Sequence, residues 1–169
     1  AYYLLNKAIS FRPNKKIKLK IIYRISDVLI AMGQTKKALS FLQEQIGVES
    51  LNGINEKLVL ISFLTETPDS ILYNIELSFN NIDPSNHSFN DLMELKNLVF
   101  KYCNESSDYE FFKYFQKSEL FIIQKKFGDA IKELEYLVDN FPESAIKPLA
   151  HLRLAVLNYQ LGNLTNALD

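Results

Sequence analysis

A repeat inside the chain constrains its fold more than any other feature. Residues 1–39 and 130–168 align without a gap at an offset of 129 positions. Ala1 falls on Ala130, Leu5 on Leu134, Pro13 on Pro142, Ile17 on Ile146, Lys18 on Lys147 and Arg24 on Arg153. Gly33, Ala38 and Leu39 fall on Gly162, Ala167 and Leu168. Each copy carries two apolar segments of helical spacing split by a proline, then a glycine turn, then a small residue opening a third segment. A unit this short cannot bury its apolar face alone. A neighbouring unit has to cover it, so self-similarity at this period implies a stacked helical array.

Along the chain the apolar spacing predicts helices over 1–12, 16–32, 35–47, 55–66, 68–80, 89–103, 108–125, 129–141 and 145–161, with another starting near 163. Expected inward stripes include Leu5, Ala8 and Ile9, then Ile17, Ile21, Ile25, Val28, Leu29 and Met32, then Ala38, Leu39, Leu42 and Ile46. Pro13 and Pro142 stop the helices before them, because proline restrains its predecessor and cannot continue the ladder. Gly33 suits a helix end, where a left-handed backbone costs glycine nothing, and Gly47 reads as another stop. Thr67-Pro68-Asp69 is a helix start, and Ser88/Asp91 and Ser107/Glu110 have the spacing of capping boxes. No segment alternates at period two. Links of three to five residues favour antiparallel neighbours.

Five glycines and five prolines in 169 residues are too few for a turn-rich β protein. The single Cys103 excludes an internal disulfide but fits either a reducing compartment or a cysteine-poor envelope protein. No apolar run is long enough to span a bilayer. The net charge of −1 hides an asymmetry: residues 1–47 hold nine Lys or Arg against Asp27 and Glu44, and the remainder is acidic. The chain starts inside one repeat and stops just after another helix opens. It therefore reads as a piece of a longer protein, with further repeats expected at both ends.

The packing residues resemble the tetratricopeptide repeat (TPR) family. In 111–142, Tyr114, Ser118, Phe121, Phe127, Ala130 and Pro142 match its bulky, small and turn positions. Ile22, Ser26, Leu29, Gly33, Ala38 and Leu42 match in 19–46. His151, Ala155, Gly162 and Ala167 match in the last unit, and Ala1, Leu5, Ala8 and Pro13 match in a first half-unit. Small residues at crossings let helix backbones approach, and large ones fill the remaining space. The chain departs from the family in its 37-residue spacing from Ala1 to Ala38 and from Ala130 to Ala167. It also departs at Lys125, where other units have glycine, and across 48–106, which matches poorly and holds three helical segments. The implied organisation is TPR-like repeats in 1–47, an irregular helical middle in 48–106, and TPR-like repeats in 107–169. The implied fold is an all-α, right-handed α-solenoid of antiparallel helix pairs, a TPR-like superhelix.

The resemblance also implies a bacterial protein, in the cytoplasm or the envelope (periplasmic or lipoprotein), that acts as a non-enzymatic scaffold for protein partners within a larger complex. A regulatory domain of a larger enzyme is another reading of the same resemblance. Carried over by position, the partner-binding face comprises Lys20, Tyr23, Asp27 and Ile30. Phe112, Phe115, Glu119 and Ile123 follow, then Leu149, Leu152, Val156 and Tyr159.

No residue set in the sequence points to catalysis. GxSxG, P-loop, HExxH, paired CxxC and glycine-rich nucleotide patterns are missing from the sequence, so no catalytic, cofactor-binding or metal-ligating residue is assigned. His87 falls in a polar loop, and His151 on a helix face. Glu105, Asp108 and Glu110 gather at a helix N-terminus, where acids suit the dipole. Lys16, Lys20 and Arg24 form a stripe at i, i+4 and i+8, close to a helix N-terminus where positive charge is locally unfavourable. An anionic partner would rationalise them. An acidic protein segment fits better than nucleic acid, because the rest of the chain is acidic and its aromatics occupy core positions.

Overall fold

The computed structural model describes residues 1–48, 54–103 and 106–168. Among these, all regular structure is helical. The elements are α1 (Tyr2–Ser10), α2 (Lys15–Ala31), α3 (Thr35–Val48), α4 (Ile54–Thr65), α5 (Pro68–Phe79), α6 (His87–Tyr102), α7 (Ser106–Ile123), α8 (Phe127–Asn140), α9 (Lys147–Gln160) and α10 (Leu164–Leu168). No helix of the described residues is long and apolar enough to cross a membrane. The chain divides into two compact units, residues 1–97 and 98–169, and the division falls within α6. The stretch 48–106 contributes α4, α5 and α6.

In the first unit each helix from α1 to α4 packs on its successor in the chain, and α2 also meets α4. The core is aliphatic: Ile22, Ile25, Leu29 and Ile30 on α2, Ala38 and Leu42 on α3, Ile71 and Ile75 on α5. α4 is buried around most of its circumference, through Ile54, Leu58, Val59, Ile61, Ser62, Phe63 and Leu64. A helix apolar on all sides belongs in the centre of its unit, and contacts with α2, α3 and α5 put α4 there. In the second unit α7 packs on α8, α8 on α9 and α9 on α10. Phe112, Phe115, Ala130, Leu134, Leu137, Ile146, Ala150 and Leu157 fill its core.

Three inter-helix turns share one geometry. After α2, Gln34 N–H donates to Leu29 O at 2.8 Å and Gly33 N–H to Ile30 O at 2.9 Å. After α9, Asn163 donates to Asn158 O at 2.9 Å and Gly162 to Tyr159 O at 3.0 Å. After α7, Lys126 donates to Phe121 O and Lys125 to Ile122 O, both at 2.9 Å. This paired bonding closes a helix when one residue turns left-handed. Gly33 (φ 75°), Gly162 (φ 79°) and Lys125 (φ 60°) are those residues. Lys125 thus takes the glycine conformation without being glycine.

Several local expectations change. Gly47 lies inside α3 and does not end it, because the helix runs on to Val48. Ile46 is 43% exposed, and Ile17 and Met32 are exposed as well. Leu5, Ala8 and Ile9 are only half-buried. The cap of α2 is Asn14, whose Oδ1 accepts from Ile17 N–H at 2.9 Å. α6 begins at His87, so Asn86 rather than Ser88 is its capping residue, accepting from Ser88 N–H at 3.1 Å. Thr67 caps α5 as expected, with Pro68 in the first turn. Glu105 and the side chains of His87, Ser107 and Asp108 lie outside the described residues.

Candidate interaction faces

A buried serine followed by an acid occurs at matching places in the two units. Ser26 on α2 and Ser118 on α7 have no accessible surface. Each hydroxyl donates within its own helix, Ser26 to Tyr23 O and Ser118 to Phe115 O, both at 2.7 Å. Serine at these points keeps the side chain small and satisfies its one polar group locally. The next residue in each case is an acid held by a cation from the helix two places on. Lys57 of α4 pairs with Asp27 of α2, and its ammonium lies 5.9 Å from the Tyr23 ring centroid. Arg153 of α9 sets its Nε 2.7 Å from Glu119 Oε1 and donates from Nη2 to Oε2 at 3.4 Å. The Nε contact is an ion pair rather than an aligned hydrogen bond, so Oε1 has a charge partner but no donor.

Electrostatics follow burial. Desolvation raises the Glu119 carboxyl above the ordinary range, and Arg153 pulls it back only in part. The Tyr23 phenol is pushed up to about 12, chiefly by burial and further by the Glu56 carboxylate.

The residues expected to face partners separate into three groups. Ile30, Phe112 and Phe115 are core residues, at most 2% exposed. Their assignment to a partner-binding face is corrected, because a side chain with no accessible surface presents nothing to a ligand. The resemblance placed them on that face by repeat position, which does not say whether the position is covered. Asp27 and Glu119 are engaged in ion pairs, and Tyr23 is half-buried beneath Lys57. Lys20, Ile123, Leu152, Val156 and Tyr159 are exposed, and Leu149 is half-buried. Val156 and Tyr159 join Ala155, Gln160, Leu164 and Ala167 in an open apolar groove of about 520 Å³ along α9 and α10. The basic stripe also stands open, with Lys16, Lys20 and Arg24 all exposed on α2. His151 is exposed, Cys103 is half-buried, and Glu110 is exposed.

Sequence reading missed two features. One is the ion pair made by the acid after each buried serine; the acids themselves, Asp27 and Glu119, are legible. Their cations are not: Lys57 lies 30 residues after its partner, and Arg153 lies 34 after its own. The other is an aromatic cluster on α7, α8 and the residue after α8. Phe111 and Phe141 have ring centroids 4.5 Å apart, Tyr114 and Tyr136 4.7 Å, and Tyr114 and Phe141 5.7 Å.

No family model, curated protein or solved structure matches this chain.

Proposed function

We propose that the chain is a non-enzymatic scaffold that binds protein partners through the exposed faces of TPR-like helix pairs. On this reading each unit is a stretch of right-handed α-solenoid of antiparallel pairs, resembling the tetratricopeptide repeats. The observation that carries it is the recurrence of one stacking device in both units: buried serine, following acid, and a cation from the next-but-one helix. Three turns of the same bonded geometry support it further. An array whose repeated residues are spent on stacking leaves partner recognition to the residues between them. Those are Lys20, Ile123, Leu152, Val156 and Tyr159, with Leu149 at their edge.

Affinity capture of the full-length protein followed by mass spectrometry tests this reading. Stoichiometric protein partners whose capture is reduced by Leu152→Asp or Tyr159→Asp are expected. A chemical activity in the purified chain, or capture indifferent to every exposed-face substitution, would refute it.

The open basic stripe favours a second reading, in which Lys16, Lys20 and Arg24 bind an anionic surface or nucleic acid. A steep fall of affinity with log salt on a generic RNA or DNA would favour that reading over protein binding.

A further inference from the structure

A row of paired side chains joins α7 to α8. Phe111 meets Phe141 just past α8, Tyr114 meets Tyr136, and Lys117 meets Glu133. The ring centroids of Tyr114 and Tyr136 lie 4.7 Å apart, with their planes tilted by 36°. Phe141 buttresses both rings, at 5.7 Å from Tyr114 and 6.0 Å from Tyr136. On the other side, one turn away, Lys117 Nζ sits 2.6 Å from Glu133 Oε1. The register of the two tyrosines is therefore held from both sides. The Tyr114 hydroxyl is hydrogen-bonded to that of Tyr136, which together with burial and the Glu110 and Glu133 carboxylates raises its phenol above the ordinary range. That bond brings the oxygen-bearing ends of the two rings together, and with them the carbons ortho to each hydroxyl. Tyr136 is 46% exposed and Tyr114 half-buried, so the pair is fixed within the unit yet open to a diffusible reagent.

We propose that Tyr114 and Tyr136 form a site of oxidative cross-linking, at which a diffusible one-electron oxidant (a peroxidase-type radical or a high-valent metal complex) joins the two rings into an intrachain dityrosine. Each phenol gives one electron to one equivalent of oxidant and its hydroxyl proton to water, leaving two neutral phenoxyl radicals. Their unpaired electrons, which reside partly on the ortho carbons, pair to form one carbon–carbon bond. The hydrogen on each joined carbon then moves to the oxygen of its ring and restores both phenols. The net change is loss of two electrons and two protons from the protein and reduction of two equivalents of oxidant. Phe111 and Phe141 are slightly closer, at 4.5 Å, but lack the hydroxyl whose proton loss makes this oxidation accessible. Negative charge beside Tyr114 favours its electron loss, whereas Tyr23 lies beside the Lys57 ammonium, which opposes it. The new bond staples α7 to α8 and closes a loop over residues 114–136, which restricts the unfolded chain more than the folded one. The inference stands apart from the scaffold reading, and neither depends on the other.

The test is oxidation of the whole chain in dilute solution by photogenerated ruthenium tris-bipyridyl, with persulfate as the electron acceptor and under conditions that couple free N-acetyltyrosine. Dityrosine is followed by its fluorescence and the product by mass spectrometry. A monomeric product is expected, lighter by the two hydrogens removed, in a yield independent of protein concentration. Tryptic digestion should join peptides 114–117 and 133–153. Tyr114→Phe and Tyr136→Phe keep both rings and should each abolish this product, while Tyr109→Phe and Tyr159→Phe should leave it unchanged. The stapled monomer should unfold at a midpoint roughly 10 °C above that of the untreated chain. Tyrosine consumption without monomeric dityrosine would overturn the proposal. So would a product confined to dimers, a cross-link that maps to another tyrosine pair, or a monomeric product that survives Tyr114→Phe. A stapled monomer that unfolds below the untreated chain would overturn it as well, since the rings would then have left their native places to react.

Discussion

Lys125→Gly should stabilise the protein, and the size of the effect can be worked from its own turns. Lys125 holds φ 60° in a turn whose counterparts are Gly33 at 75° and Gly162 at 79°. A left-handed backbone costs a residue with a Cβ about 1–2 kcal/mol. Glycine removes that strain but gives up roughly 0.5–1 kcal/mol through the greater freedom of its unfolded state. The net expectation is a gain of about 0.5–1 kcal/mol. The Lys125 side chain is exposed, so its loss adds little. The reciprocal change isolates the same term. A Cβ built on Gly33 meets nothing within 4 Å, so Gly33→Ala introduces no clash, only the backbone cost, and should destabilise by about 1 kcal/mol. Urea and thermal unfolding followed by circular dichroism measure both. The temperature shift also reports the cooperative unit. If residues 98–169 melt alone, about 1 kcal/mol moves the midpoint by roughly 4–8 °C, and if the whole chain melts together, by roughly 2–4 °C. A Lys125→Gly variant no more stable than the wild type, together with a neutral Gly33→Ala, would refute the reasoning.

Ser118→Ala should change stability by less than about 1 kcal/mol, because the hydroxyl bonds only within its own helix, whereas Ser118→Leu should cost about 2 kcal/mol or more by overpacking a fully buried site; urea unfolding of the pair checks this. The raised Glu119 carboxyl favours protonation in the fold, so its contribution to stability diminishes as pH rises from the ordinary carboxylate value through the raised one. Glu119→Gln should therefore be at least as stable as wild type at neutral pH, with the difference fading in acid; a loss of more than about 1 kcal/mol at pH 7 would count against this assignment. Tyr23, raised to about 12, should contribute a late phenolate signal near 295 nm that Tyr23→Phe removes, and stability should fall between the ordinary tyrosine range and about 12 as the unfolded chain ionises first. Its appearance below pH 10 would contradict the burial of the ring.

Much of the helical layout was legible in the residues. Helical spacing located α2, α3, α5, α8 and α9 to within a few residues, because each has an apolar stripe with a polar reverse. α4 is a different case: Val59 and Phe63 are as buried as Leu58. Both sides of α4 are apolar, and pattern alone cannot say that neighbours exist to cover both. Gly47 misled for the opposite reason: glycine permits a helix end without requiring one.

The candidate faces divide in the same way. The 129-residue self-similarity, the glycine turns and the small residues Ser26 and Ser118 follow from local sequence, because turn geometry and side-chain size are properties of single residues. Which apolar residues are covered depends on a neighbour's arrival, which is a long-range property. Ile30 and Tyr159 occupy the same repeat position, yet one is 1% exposed and the other 69%. Ile17 and Ile146 are identical residues with opposite fates, 49% and 2% exposed. The sequence by itself determined that this chain is all-helical over its described residues and carries an internal self-similarity. Only the tertiary structure decided which of the repeated apolar positions are buried among the described residues, because burial is set by the helix on the other side of the contact.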